Sequence, residues 1–122
     1  MLTSLIPVLL FYYNAIIINH DYSTTTLRDY AVVESLIAGV NSDKVRWTIE
    51  KESQFKFDAR NDNDMKQGCD SRGLVQIRDC NHPTVTDAMA NDPIFAVNFL
   101  IKNIDKCDTW WKNTCGKYKS PF

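Results

Sequence analysis

Residues 43–55, DKVRWTIEKESQF, repeat at a helical period, and the stripe that this period creates contains a carboxylate. With 100° per residue and Val45 at zero, Ile49 falls at about 40° and Glu52 at about 340°, on one face. Arg46 and Glu50 fall on the flanks, at about 100° and 140°. A fold that packs this stripe onto a core must either pair Glu52 with a base such as Arg46, Lys56 or Arg60, or leave it at the edge of a cleft. Without a base, burial makes the ionised form costly and lifts the pKa toward the range where a carboxylic acid gives up its proton near neutral pH. Cleavage of a glycosidic bond uses an acid of that kind to protonate the leaving oxygen.

The rest of the chain has little material for a core. Of its 122 residues, the first 18, MLTSLIPVLLFYYNAIII, read as an apolar export signal or signal anchor, with a buried N-terminal helix as the alternative. That leaves residues 19–122 for one small domain, for which cross-links are useful. Cysteines stand at 69, 80, 107 and 115, with no C-x-x-C pair and no His at zinc spacing, so two disulfides are expected and a metal site is not. Three connectivities are possible, and the expected one is local, Cys69 with Cys80 and Cys107 with Cys115. Loops this short contribute about 2 to 3 kcal/mol each. The net charge of −1 supplies no basic field for nucleic acid.

Leu27, Tyr30, Val33 and Val40 mark a core helix, with Thr26 and Asp29 as its capping box, Gly39 at its exit, and Ser42-Asp43 opening the next helix. Residues 56–72 have no periodicity and read as an acidic, solvated loop along one wall of a cleft. Their Asp-Asn runs lack the glycine and terminal Glu of a calcium loop. Residues 73–77 read as a short strand or an extended turn, with Gly73 allowing backbone to approach a ligand. A helical piece is expected over residues 86–90, and Asp92-Pro93 starts a buried helix carrying Ile94, Val97, Ile101 and Ile104. His82, before Pro83, reads as a surface turn residue. Adjacent Trp110 and Trp111 cannot both point inward, which leaves one aromatic face for stacking on a sugar ring.

Glu52-Ser53, followed about twenty residues later by Gly73-Leu74-Val75-Gln76, resembles the Glu-Ser and Gly-Leu-x-Gln signatures of the lysozyme-like superfamily, in particular the soluble-type lytic transglycosylases. The resemblance runs over residues 43–104. It implies a mostly α (α+β) lysozyme-like fold, with a short β-hairpin or extended segment beside the catalytic helix. It makes Glu52 the one catalytic acid and base, gives Gln76 a sugar-binding role, and places Ser53 and Ser71 beside the substrate. The implied reaction cleaves the β-1,4 bond from N-acetylmuramic acid to N-acetylglucosamine, without a cofactor. The implied partner is the glycan strand of peptidoglycan, met by a secreted or envelope-bound monomer that residues 1–18 could anchor to a membrane. A Tyr-Asn-Ala-Gly motif that usually follows in that family is absent from these residues. The alternatives are a hydrolytic muramidase that recruits Asp70 or Asp58 as a second carboxylate, and a non-catalytic peptidoglycan-binding module.

Overall fold

A computed structural model describes residues 2–64 and 68–120. Its first half is helical: α1 (Leu2–Tyr13) runs into a π-helical turn (Asn14–Ile18), followed by α2 (Thr24–Ala38) and α3 (Ser42–Ser53). Ser23 caps α2 by accepting from the Thr26 backbone N–H, so the helix begins ahead of the Thr26 and Asp29 capping box read from sequence. A side-chain cap needs only a free oxygen two or three residues before the first orphan N–H, and in Ser-Thr-Thr-Thr several registers satisfy that. Gly39, in the left-handed region at φ 75°, ends α2 as expected. Asn41 then caps α3 through its Oδ1 and the Lys44 N–H.

Helix α3 stops at Ser53 because Gln54 and Phe55 both turn to positive φ, at 54° and 59°. That double reversal drops the Phe55 ring into the core although it has left the helix. Next come three short antiparallel strands, β1 (Arg60–Asp64), β2 (Cys69–Arg72) and β3 (Ile77–Arg78), in the order β1-β2-β3. The described residues of 56–72 are therefore no featureless loop: Arg60 pairs with Arg72 and Asn61 with Ser71, and β2 goes on to pair Ser71 with Arg78. Asn and Asp have low strand propensity, so the sequence of β1 carries no strand signal. The strand forms because β2 beside it is fixed, on one side by the Cys69–Cys80 disulfide and on the other by the burial of Arg72.

Residues 73–76 form a turn between β2 and β3. Gly73 sits at φ 81°, and a Cβ built on it would lie 1.8 Å from the Ala90 carbonyl oxygen. The backbone approach that this glycine permits is thus to the protein's own helix α4 (Asp87–Ala90), not to a ligand. Thr86 caps α4, and Asp92 with Pro93 starts α5 (Pro93–Lys102) as the sequence indicates. The chain closes with a 3-10 turn (Ile104–Lys106), α6 (Cys107–Trp110) and a second 3-10 turn (Cys115–Lys117). Both disulfides adopt the local pairing, Cys69–Cys80 and Cys107–Cys115. The whole is mostly helical with one small antiparallel sheet, an α+β arrangement, and its two disulfides point to an oxidising, extracytoplasmic compartment.

The core lies where α2, α3 and α5 meet the 73–77 segment, with Leu27, Val45, Ile49, Leu74, Val97 and Leu100 fully buried. One polar network crosses it. The buried Tyr30 hydroxyl donates to Glu34 at 2.9 Å and accepts from Asn98 at 3.2 Å, and Tyr13 of α1 donates to the same Glu34 oxygen at 3.0 Å. Burial and the facing Glu34 carboxylate push the Tyr30 phenol far above its ordinary value, so it stays a donor. The segment read as an export signal or anchor thus packs on α2, burying Leu9 and Ile16, while Ile6, Leu10, Phe11 and Ile18 face outward. Among the described residues, no helix is long and apolar enough to cross a membrane.

Candidate active site

Glu52 occupies the last turn of α3, half-buried at the edge of the core. None of the bases considered from sequence reaches it. Arg46 pairs with Asp43 on its own helix, and Arg60 is held by Asp62, Asp70 and Asp87. The partner of Glu52 is instead neutral: the Thr114 hydroxyl donates to its Oε2 at 2.7 Å. Burial raises the Glu52 pKa above the ordinary carboxylate value, and the Thr114 hydrogen bond draws it back in part. Among the described residues no ion pair holds Glu52 in its ionised form.

Thr114 reaches Glu52 because the second disulfide loop is fixed at both ends. Cys107–Cys115 closes it, and buried Trp111 anchors its middle by donating Nε1–H to the Val75 carbonyl at 2.8 Å. The Thr114 N–H donates to the Trp111 carbonyl at 3.0 Å, which aims the hydroxyl across at α3. A Thr114→Val variant keeps the shape and removes the donor, so its Glu52 should titrate at higher pH than the parent's, and Thr114→Ser should titrate like the parent. Carbon-13 detection of the Glu52 carboxyl reads this directly; an unmoved or lowered pKa in the Val variant would mean that the hydroxyl does not stabilise the carboxylate.

In front of Glu52 lies a cleft of about 280 Å³. Its floor and walls include Ser71 and Gln76, both singled out from sequence, and Trp110 and Trp111 from the second disulfide loop. Ser53 is not among its lining residues: it is buried, with its hydroxyl donating to the Ile49 carbonyl at 3.2 Å. Gln76 sits at φ 54° and donates its side-chain N–H to the Ala59 and Gly73 carbonyls at 3.1 and 2.9 Å. Those bonds hold the amide rigid and leave its carbonyl oxygen as the group that meets a ligand. The two tryptophans divide as adjacency requires, Trp111 buried and Trp110 half-exposed at the cleft.

Several lining residues carried no sequence signal. His82 is one: its ring packs edge-on against Trp110 at 4.5 Å and Phe99 at 5.2 Å instead of lying on the surface of a turn. Its backbone is tied to the end of β3, the His82 N–H donating to the Arg78 carbonyl at 3.1 Å, two residues beyond the Cys69–Cys80 bond. Burial, and then the charges of Arg72 and Lys106, hold the His82 pKa below its ordinary value, so the ring is neutral at pH 7. Asn61, Asn81 and Asn113 add amides to the walls. Asn61 lies in the paired hairpin, Asn81 follows Cys80 and Asn113 lies within the Cys107–Cys115 loop, positions that only the fold brings to one cleft.

Asp70, the first candidate for a second carboxylate, is committed elsewhere. It forms an ion pair with Arg60, and its backbone N–H donates to Asp79 at 3.0 Å. Asp58 is exposed and outside the cleft lining. Among the described residues, Glu52 is the only carboxylate that lines the cleft. The three-member group Cys69, Asp79 and Cys80 has metal-like proximity, but both of its sulfurs are spent in a disulfide. No protein-family model matches the chain, and neither a curated protein nor a solved structure matches it. The resemblance to lytic transglycosylases stands on Glu52-Ser53 and residues 73–76 alone.

Proposed function

We propose that this chain is a peptidoglycan-cleaving enzyme of the lysozyme-like kind, a lytic transglycosylase that acts outside the cytoplasm. What carries the reading is the state of Glu52, an acid raised in pKa by burial and, among the described residues, unpaired with any base and alone among carboxylates at a cleft walled by tryptophan and amide side chains. Tryptophan faces stack on pyranose rings, and amides hydrogen-bond to N-acetyl groups and hydroxyls.

In this reading protonated Glu52 gives its proton to the glycosidic oxygen between the muramoyl and glucosaminyl units as the muramoyl C1 gains positive charge. The Glu52 carboxylate then takes the proton of the muramoyl C6 hydroxyl, whose oxygen closes on C1 to give a 1,6-anhydro ring. The carboxyl group ends as it began, and no water is consumed. Gln76, through its free carbonyl oxygen, accepts from a sugar hydroxyl or N-acetyl N–H and fixes the ring against Glu52. Thr114 holds the carboxylate in position for both proton transfers.

Hydrolysis by the same site would need a second carboxylate within about 5 to 9.5 Å of the first to attack or to activate water. With Asp70 tied to Arg60, the cleft supplies one among the described residues. Digestion of purified peptidoglycan by the full chain, with the muropeptides weighed, tests the proposal. The expected products end in anhydromuramic acid, lighter by one water than a reducing end. Reducing ends alone would replace transglycosylation with hydrolysis, and absence of soluble products from a folded protein that binds the wall would replace catalysis with recognition.

A further inference from the structure

A second groove, of about 470 Å³, opens between the first two turns of α3 and residues 117–119, and shares no lining residue with the cleft. Trp47 and Tyr118 meet edge-to-face at 5.6 Å to form its apolar floor. Arg46, Lys117 and Lys119 stand on its rim, and the Lys51 ammonium lies 5.7 Å from the centre of the Trp47 ring. Among the described residues, the groove's lining sets against these cations only the carboxylate of Asp43, already engaged by Arg46 at 3.7 Å. Lys117 and Lys119 form no ion pair among the described residues. Two lysines without an ion pair among the described residues, beside an aromatic floor, suit a ligand with carboxylates separated by small apolar groups.

We propose that this groove binds the peptide branches of peptidoglycan through their carboxylates, an inference that rests on the wall-cleaving reading of the Glu52 cleft. Geometry supports the pairing. Trp47 precedes Glu52 by five residues on one helix, an offset of about 7.5 Å along its axis and about 140° around it. A five-residue branch from a muramoyl unit at Glu52 extends about 17 Å, longer than that axial offset. The alanine methyls of such a branch match the Trp47 and Tyr118 faces, and its terminal and side-chain carboxylates match the lysines. A phosphate polymer would satisfy the cations but would leave the aromatic floor without an apolar partner.

The test uses the full chain and a synthetic wall-type pentapeptide with no sugar attached. The three tryptophan indole N–H signals are separate probes, Trp47 for the groove and Trp110 and Trp111 for the cleft. The peptide should shift the Trp47 signal saturably and leave the other two in place. Reversing charge in Lys117→Glu/Lys119→Glu should weaken this binding by at least about tenfold, and amidating every carboxylate of the peptide should do the same. A Trp47 signal that stays still to several millimolar peptide, or that moves equally with the amidated peptide, overturns the proposal. Peptide-free chitotetraose is the complementary probe: it should shift Trp110 and not Trp47. Its failure would count against the cleft as a glycan site while the peptide titration still decides the groove.

Discussion

Glu52→Gln is expected to lower peptidoglycan cleavage by about 10³-fold or more, with circular dichroism and the near-ultraviolet tryptophan signal unchanged. Loss of a general acid alone costs about 10²- to 10⁴-fold, and here one group serves both proton transfers, which places the loss toward the upper end. The substitution is nearly isosteric, and the Thr114 hydroxyl can still donate to the amide oxygen, so position is kept and only the proton is removed. Release of anhydro-muropeptides by parent and variant, followed over the same period, measures the ratio. A variant within tenfold of the parent would move the chemistry off Glu52.

The same variant should be more stable than the parent at pH 7. Because burial raises the Glu52 pKa above its ordinary value of 4.5, the folded state holds this proton more tightly than the unfolded chain does. The stability gained that way is fully present below the unfolded value and is lost as pH rises through the folded one. Glutamine never ionises and never loses it. The difference between variant and parent in urea unfolding should therefore grow from pH 4 to pH 7 in favour of the variant. A difference that grows the other way would mean that Glu52 carries an attractive charge pair after all. Stability set against activity at one side chain is what a site-bound acid produces and a structural ion pair does not.

How far the sequence discloses this site depends on which residues act through local rules. The stripe containing Glu52, the Asp92-Pro93 helix start and the Gly39 stop are properties of neighbours in sequence, and the fold reproduces them. The local disulfide pairing is legible for the same reason, because short separations favour it. What the sequence conceals is set by pairing across distance. Strand β1 is made of Arg, Asn and Asp, and it becomes a strand only beside β2. Thr114 lies 62 residues from the carboxylate it holds, and nothing in its own neighbourhood marks it. His82 looks like a turn residue until its ring packs against Trp110 and Phe99. Ser53, next to the catalytic candidate in sequence, points the other way because adjacent helical residues diverge by about 100°.

Gly73→Ala is expected to destabilise the protein by about 3 to 5 kcal/mol, well beyond the cost of its backbone conformation alone. A non-glycine residue in the left-handed region costs about 1 to 2 kcal/mol. Gly39, at φ 75°, isolates that cost, since a Cβ there meets nothing within 4 Å. At Gly73 the added carbon would stand 1.8 Å from the Ala90 oxygen and 2.7 Å from its carbonyl carbon, both backbone atoms that no rotamer change can withdraw. Relief requires α4 to move, and α4 carries Asp87, the partner of both Arg60 and the buried Arg72. The 73–76 turn would shift as well, and with it the Gln76 amide held on the Gly73 carbonyl. Urea unfolding of Gly73→Ala beside Gly39→Ala separates the two contributions. If both lose the same amount, the clash with α4 is absent and only backbone strain remains. If Gly73→Ala loses at least about 2 kcal/mol more, the glycine of the Gly-Leu-Val-Gln run is there to seat the sheet against α4, and sugar recognition by Gln76 depends on that seat.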